Sequence, residues 1–129
     1  MLRIQAMDHI VLLVSDVERT VAWYRDELGL GAERLEEWRR GEVLFPSVRI
    51  NDGTIIDVLQ GERSGKNIDH LCLTFEPVDL AAVRDSRRFD VVEGPVTRWG
   101  ARGNATSLYV RDPDGNVVEL RHYGAGNLT

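Results

Sequence analysis

Two histidines and two carboxylates interrupt apolar stretches of this chain, in the same order twice. His9 lies in Asp8-His9-Ile10-Val11-Leu12-Leu13-Val14, and His70 in Asp69-His70-Leu71-Cys72-Leu73-Thr74-Phe75. Asp57 sits among Ile55, Ile56, Val58 and Leu59, and Glu119 among Val117, Val118 and Leu120. Side chains alternate faces along a strand, so His9 shares a side with Val11 and Leu13, and His70 with Cys72 and Thr74. Neighbours this apolar predict burial. A buried imidazole then needs a partner, and a buried carboxylate is strongly disfavoured unless it is paired, protonated or bound to a metal. Two imidazoles with one or two carboxylates make a donor set suited to zinc, manganese, iron(II), cobalt or nickel, and two histidines with one carboxylate leave positions open for a ligand. Either histidine alone reads more simply as a satisfied core residue; the repetition is what points to a metal.

The repetition extends well beyond these four residues. The two histidine segments align 61 residues apart, and the same spacing places Val17 on Val78 and Glu18 on Asp79. Asp52-Gly53-Thr54-Ile55-Ile56-Asp57-Val58-Leu59 aligns with Asp114-Gly115-Asn116-Val117-Val118-Glu119-Leu120-Arg121 at a spacing of 62. One inserted residue over a whole module is what a loop difference produces, so residues 6–60 and 67–123 read as two copies of one supersecondary unit, joined by the polar linker 61–66. If the copies pack about a pseudo-twofold axis, the four polar groups converge on one point.

Each copy opens with an apolar run of strand length. In the first copy Ser15-Asp16 supplies a helix N-cap, Val17, Val21, Tyr24 and Leu28 fall on one helical face, and Gly29 and Gly31 stop the helix. Three extended segments are expected next, near 32–39, 42–50 and 54–59, the last two joined by an Asn51-Asp52-Gly53 turn. The second copy gives a helix over 78–88 and strands near 91–98, 105–111 and 116–123, with Asp112-Pro113-Asp114-Gly115 as a turn. The order is βαβββ twice, an α+β arrangement.

Length and composition bound the function. A chain of 129 residues suits one domain, and 43% hydrophobic with 29% charged residues is the composition of a globular protein. The net charge of -5 argues against a nucleic-acid surface; Arg84, Arg87 and Arg88 are interrupted by Asp85 and read as a solvated helix face. Cys72 is the lone cysteine and cannot close an intrachain disulfide. The opening residues lack a signal-peptide pattern, and no stretch reaches membrane-spanning length, so a cytoplasmic location and no membrane partner are expected.

Three segments together carry a family resemblance: Asp8-His9 before an apolar strand, the helix end Trp23-Tyr24-Arg25-Asp26-Glu27-Leu28-Gly29-Leu30, and Tyr109-Val110-Arg111-Asp112-Pro113-Asp114-Gly115-Asn116-Val117-Val118-Glu119-Leu120. Over nearly its whole length the chain resembles the vicinal-oxygen-chelate superfamily of glyoxalases, bleomycin resistance proteins and dioxygenases. The resemblance implies two βαβββ modules curled into a partly open, barrel-like mixed sheet with helices outside, in a single domain spanning 1–129, often as a homodimer. It implies one divalent metal on His9, His70 and Glu119, with Asp57 where glyoxalase I carries a further carboxylate ligand. Asp57 is one methylene shorter than that glutamate.

The implied activity is that of a metal-dependent lyase or isomerase acting on a small molecule with adjacent oxygens. In the glyoxalase-like version the metal stabilises an oxyanion or enediolate while Asp57 or Glu119 moves the proton. A fosfomycin-resistance-like transferase would use the same ligands with Tyr109 against substrate, although Val11 stands where that group has a hydroxylated residue. Extradiol dioxygenases share the ligand set but typically carry more modules. A bleomycin-resistance-type binding protein needs no catalytic metal, and the acidic charge with Trp23, Trp38 and Trp99 is compatible with it. Among the remaining polar residues, His122 falls on the opposite strand face from Glu119, and Cys72 reads as a small buried hydrophobe. Arg121 either holds an anionic substrate group or pairs with Asp57 or Glu119. Residues 99–104 form a glycine-rich hairpin loop or a cover over the site mouth.

Overall fold

A computed structural model describes residues 3, 5–100 and 102–124. The chain divides into two compact units, Met1–Asn67 and Ile68–Thr129, so the division falls at the end of the linker expected between the repeats. No helix among the described residues is long and apolar enough to cross a membrane.

The first unit runs β1 (His9–Val14), α1 (Val17–Asp26), β2 (Gly31–Glu33), α2 (Leu35–Arg39), β3 (Ser47–Asn51) and β4 (Thr54–Gln60). Its four strands form one mixed sheet in the order β1-β4-β3-β2, with β1 parallel to β4 and the other pairs antiparallel. Helix α1 starts where Asp16 accepts a hydrogen bond from the Arg19 N–H at 3.0 Å. It ends in an αL cap: Gly29, at φ 74°, donates to the Arg25 carbonyl, and Leu30 donates to that of Tyr24. Val17, Thr20, Val21 and Tyr24 are its buried positions, and Leu12, Val14, Val48, Ile56 and Val58 are buried on the sheet. Alternation puts His9, Val11, Ser47 and Asp57 on the other face.

The second unit runs β5 (Leu71–Thr74), α3 (Leu80–Asp85), β6 (Asp90–Gly100), β7 (Gly103–Arg111) and β8 (Val117–His122), again a four-stranded mixed sheet, in the order β5-β8-β7-β6. Leu80, Ala105, Leu108, Val110, Val118, Leu120 and Tyr123 are buried apolar residues of this unit. Cys72, Ser107, Tyr109, Glu119 and Arg121 share the opposite face by register and alternation. The β7–β8 turn is built on Asp112, whose Oδ1 accepts from the N–H groups of Asp114 and Asn116 at 3.0 and 2.9 Å and whose Oδ2 accepts from the Asn116 side chain at 3.0 Å. That turn sets the register of the strand carrying Glu119.

The α+β class is as expected, with the strands gathered into two four-stranded sheets, one per unit. Several element boundaries are corrected. The strand expected over 32–39 is a three-residue strand followed by helix α2, because Leu35-Glu36-Glu37-Trp38-Arg39 is rich in good helix formers and lacks β-branched residues. The segment expected over 42–50 pairs only from Ser47. Helix α3 is shorter than 78–88: Asp79 caps it by accepting from the Ala82 N–H at 3.2 Å, and Arg87 at φ 62° is past its end. Arg87 and Arg88 therefore do not lie on a helix face.

Candidate metal-binding site

Parallel pairing of the first and last strand of each unit brings a histidine beside a carboxylate, twice. In the first unit His9 pairs with Ile55 and Val11 with Asp57, so His9 and Asp57 are two positions apart on one face. In the second, Cys72 pairs with Glu119, and His70 immediately precedes β5. His9 Nε2 lies 3.8 Å from Asp57 Oδ2, and His70 Nε2 lies 3.4 Å from Glu119 Oε1.

The other ring nitrogen of each imidazole is held by the residue before it. His9 Nδ1 lies 2.8 Å from Asp8 Oδ2 and His70 Nδ1 lies 2.7 Å from Asp69 Oδ2. An ionised carboxylate can only accept, so each Nδ1 carries a proton and each Nε2 faces the buried carboxylate. Two lone-pair donors facing each other at these distances repel unless a proton or another cation lies between them. A carboxylate behind one ring nitrogen, with the other free to donate, is the arrangement that metal-ligating histidines commonly adopt. The Asp8 hydrogen bond raises the His9 pKa above its ordinary value, with the Asp57 charge adding to the effect.

The burial pattern differs from expectation in one respect. Asp57 and Glu119 are both buried, at 5% exposure, but His9 and His70 have side chains 46% and 38% exposed. The apolar core lies on the alternate positions Leu12 and Val14, leaving the imidazoles on the more open side of their strands. Cys72 is likewise exposed rather than buried, with its thiol pushed up to about 11 by partial desolvation and by Glu119. It is a poor nucleophile at neutral pH.

Each buried carboxylate has a serine that the sequence did not single out. Ser47 Oγ donates to Asp57 Oδ1 at 2.6 Å from directly across the β3–β4 ladder. Ser107 Oγ donates to Glu119 Oε2 at 2.7 Å, on the diagonal, because Tyr109 holds the position opposite Glu119. Glu119 also pairs with Arg121, whose Nε is 3.2 Å from Oε2. Of the two roles open to Arg121, the ion pair with Glu119 is the one it takes. The rings of Tyr109 and His70 meet edge to face at 5.8 Å, and burial together with the Glu119 charge raises the Tyr109 pKa, keeping the phenol protonated. His122 lies on the other face of β8 and accepts from the Gly124 N–H through Nδ1 at 3.2 Å. Residues on either side of position 101, which lies outside the described residues, pair as a hairpin, with Trp99 opposite Asn104.

Within the described residues no group of three or more His, Cys, Asp or Glu side chains is gathered as a ready metal cluster. Each unit instead supplies one imidazole nitrogen and one buried carboxylate oxygen, donors of the type that zinc and its neighbours in the first transition row accept. The residues present fit a divalent metal.

A paired-module α+β fold with a histidine and a carboxylate at matched positions of each module defines a class. The chain belongs to the Glyoxalase/Bleomycin resistance protein/Dioxygenase superfamily, whose family model matches residues 6–120. It is similar to Virulence protein STM3117 of Salmonella typhimurium, with 34% identity over 124 residues, 93% of this chain and 85% of that protein. It is also similar to the Glyoxalase domain-containing protein RDO1 of Mycosarcoma maydis, with 31% identity covering 95% of this chain and 70% of that one. Among solved structures, an integron cassette protein from the mobile metagenome of V. cholerae superposes with a TM-score of 0.71 at 29% identity, covering 95% of this chain and 98% of the other.

Proposed function

We propose that this chain is a divalent-metal-dependent, glyoxalase-like enzyme acting on a small molecule with adjacent oxygens, its metal held by His9, His70 and Glu119. The observation that carries the reading is the pair of imidazole Nε2 atoms, each backed by an aspartate on Nδ1 and each facing a buried carboxylate oxygen. The proposal requires His9 to join His70 and Glu119 on one ion, within one chain or across two copies in a homodimer. When bound, such an ion supplies Lewis acidity to two neighbouring substrate oxygens.

The chain's own residues then divide the remaining work. Asp57, held at Oδ1 by a single hydroxyl, is the carboxylate free to take a proton at Oδ2 and return it. Tyr109, kept protonated, donates its phenolic O–H to a substrate oxygen. Asp8 and Asp69 hold Nδ1 and so orient each ring with Nε2 toward the buried carboxylate of its own unit.

Metal content by mass spectrometry after gentle purification tests the reading. We expect close to one equivalent per chain for the wild type after exposure to zinc, manganese, cobalt, nickel or iron(II), loss of retention in His70→Ala, and retention in His122→Ala. Less than about a tenth of an equivalent under every loading condition, or equal effects of the two substitutions, overturns the ligand assignment. Stoichiometric capture of a cationic drug without product would favour the binding-protein reading instead.

A further inference from the structure

Asp57 and Glu119 stand at repeat-equivalent positions, yet their non-facing oxygens are held differently. Among the described residues Asp57 Oδ1 receives the Ser47 hydroxyl alone, and the position two residues on is Leu59. Glu119 Oε2 receives the Ser107 hydroxyl at 2.7 Å and the Arg121 guanidinium at 3.2 Å, and the position two residues on is Arg121 itself. Glu119 Oε1 is the oxygen left toward His70.

We propose that Arg121 is a positioning residue which, with Ser107, ties down one oxygen of Glu119 so that the carboxylate offers the other alone toward His70. This inference rests on the reading of Glu119 as a metal ligand. Arg121 suits the role because its own orientation is set elsewhere. Its Nη2 donates to the Arg98 carbonyl of β6 at 2.7 Å, and its Nη1 donates to the Tyr123 hydroxyl at 2.9 Å. That hydroxyl also accepts from the Arg102 N–H at 3.1 Å, and the Tyr123 ring lies near the guanidinium carbons of both Arg102, at 4.4 Å, and Arg121, at 5.3 Å, measured to its centroid. A planar fork pinned at two corners presents its third corner, Nε, to Glu119 and Ser107 in a fixed direction. The guanidinium is 3% exposed and all three nitrogens are engaged, so it is not available to hold a substrate anion.

The consequence is a division of labour between two carboxylates at the same repeat position. Glu119 is a fixed single-oxygen donor. Asp57, with no guanidinium on Oδ1 among the described residues, is the less restrained of the two and suits the proton carrier's role. An arginine at position 59 would restrain both carboxylates; Leu59 leaves one of them free.

Cobalt(II) alone is the probe, because its visible absorption reports coordination number and geometry and its titration reports affinity. Wild-type protein is expected to take up one equivalent. Arg121→Gln, if its far-ultraviolet circular dichroism is native, is expected to bind cobalt roughly 10- to 100-fold more weakly, the usual range for removing a group that orients a ligand. Its visible bands should shift as Glu119 changes how many oxygens it offers. Ser107→Ala removes the other contact while keeping the buried cation, and should shift the bands in the same direction with a smaller loss of affinity. Leu120→Val lowers core packing without touching these contacts and should leave the bands where they are. Unchanged bands and affinity in folded Arg121→Gln overturn the proposal. Where Arg121→Gln does not fold, Ser107→Ala decides: unchanged bands overturn it. A wild type that takes up no cobalt sinks the metal reading itself, an outcome distinct from a wild type that binds normally beside variants that do the same.

Discussion

Removing one buried carboxylate should damage the apo protein far more than removing the other, although both are equally hidden. Glu119→Ala leaves Arg121 as a buried cation without its anion, and breaking a buried pair from one side costs about 3–5 kcal/mol. Arg121 keeps the Arg98 carbonyl and the Tyr123 hydroxyl, which places the expected loss at the lower end, near 3 kcal/mol. Asp57→Ala leaves the Ser47 hydroxyl short of an acceptor, a cost of about 1 kcal/mol, and removes the carboxylate 3.8 Å from the half-exposed His9 ring, a solvent-screened contact worth less than the buried Arg121 pair. The two variants should therefore differ by about 2 kcal/mol or more, and at a urea slope near 2 kcal/mol/M the Glu119→Ala midpoint falls about 1.5 M below wild type while Asp57→Ala moves by less than about 0.5 M. Urea denaturation followed by circular dichroism in excess chelator is the assay, with hydrogen exchange to place the Glu119→Ala loss in β5–β8. Equal midpoints for the two variants would refute the reasoning, since it assigns the difference to Arg121 alone.

Four further outcomes can be checked. In apo protein, the His9 imidazole should titrate above its ordinary value of 6.5 by proton NMR, and Asp8→Ala should bring it down. The sign is that of a raised folded-state pKa: the Asp8–His9 pairing stabilises the apo fold below the unfolded pKa and that stabilisation is lost as pH rises through the folded one, whereas metal uptake needs the neutral ring and should improve over the same rise. Gly94 sits at φ 110°, and a methyl group there would lie only 2.6 Å from the Ser107 carbonyl and 3.2 Å from Leu108 Cα, so Gly94→Ala should destabilise by more than the roughly 1–3 kcal/mol of backbone strain alone and displace the Ser107 strand, with thermal melting as the check. Gly115→Ala, at φ 82° with nothing near its methyl, should cost only the backbone strain. Finally, Asp57→Ala should weaken metal binding less than Glu119→Ala while lowering turnover on any substrate found, and unchanged turnover would demote Asp57 to a structural residue.

Much of this was legible in the residues because repetition is a strong signal. The matched Asp-His segments and the matched carboxylate strands marked the two modules, and parallel pairing of first and last strands in each unit explains why a histidine and a carboxylate so far apart in sequence become neighbours. The exposure of the imidazoles was not legible, because an apolar run such as Ile10-Val11-Leu12-Leu13-Val14 does not declare which alternate face is the core. Leu12 and Val14 take the core, and His9 and Val11 are left outside it. Helix α2 replaces an expected strand although Glu36, Glu37 and Arg39 favour helix, since its single short turn and a half carries no apolar stripe to mark it. Ser47 and Ser107 carried no periodic or compositional mark; only the register, directly across from Asp57 and diagonal to Glu119, reveals that they donate to the carboxylates. Asp8 and Asp69 were visible as repeated neighbours, but their hold on Nδ1 is a matter of side-chain direction that the sequence does not state.

The most direct test of the central claim is anomalous diffraction from crystals of metal-loaded protein, collected at the absorption edge of the ion supplied. One strong peak per chain coordinated by His9, His70 and Glu119, whether from one copy or two, is the predicted result. A peak bound by other residues, or a well-ordered structure from loaded protein with His9 Nε2 directed away from any ion shared with His70, would contradict it.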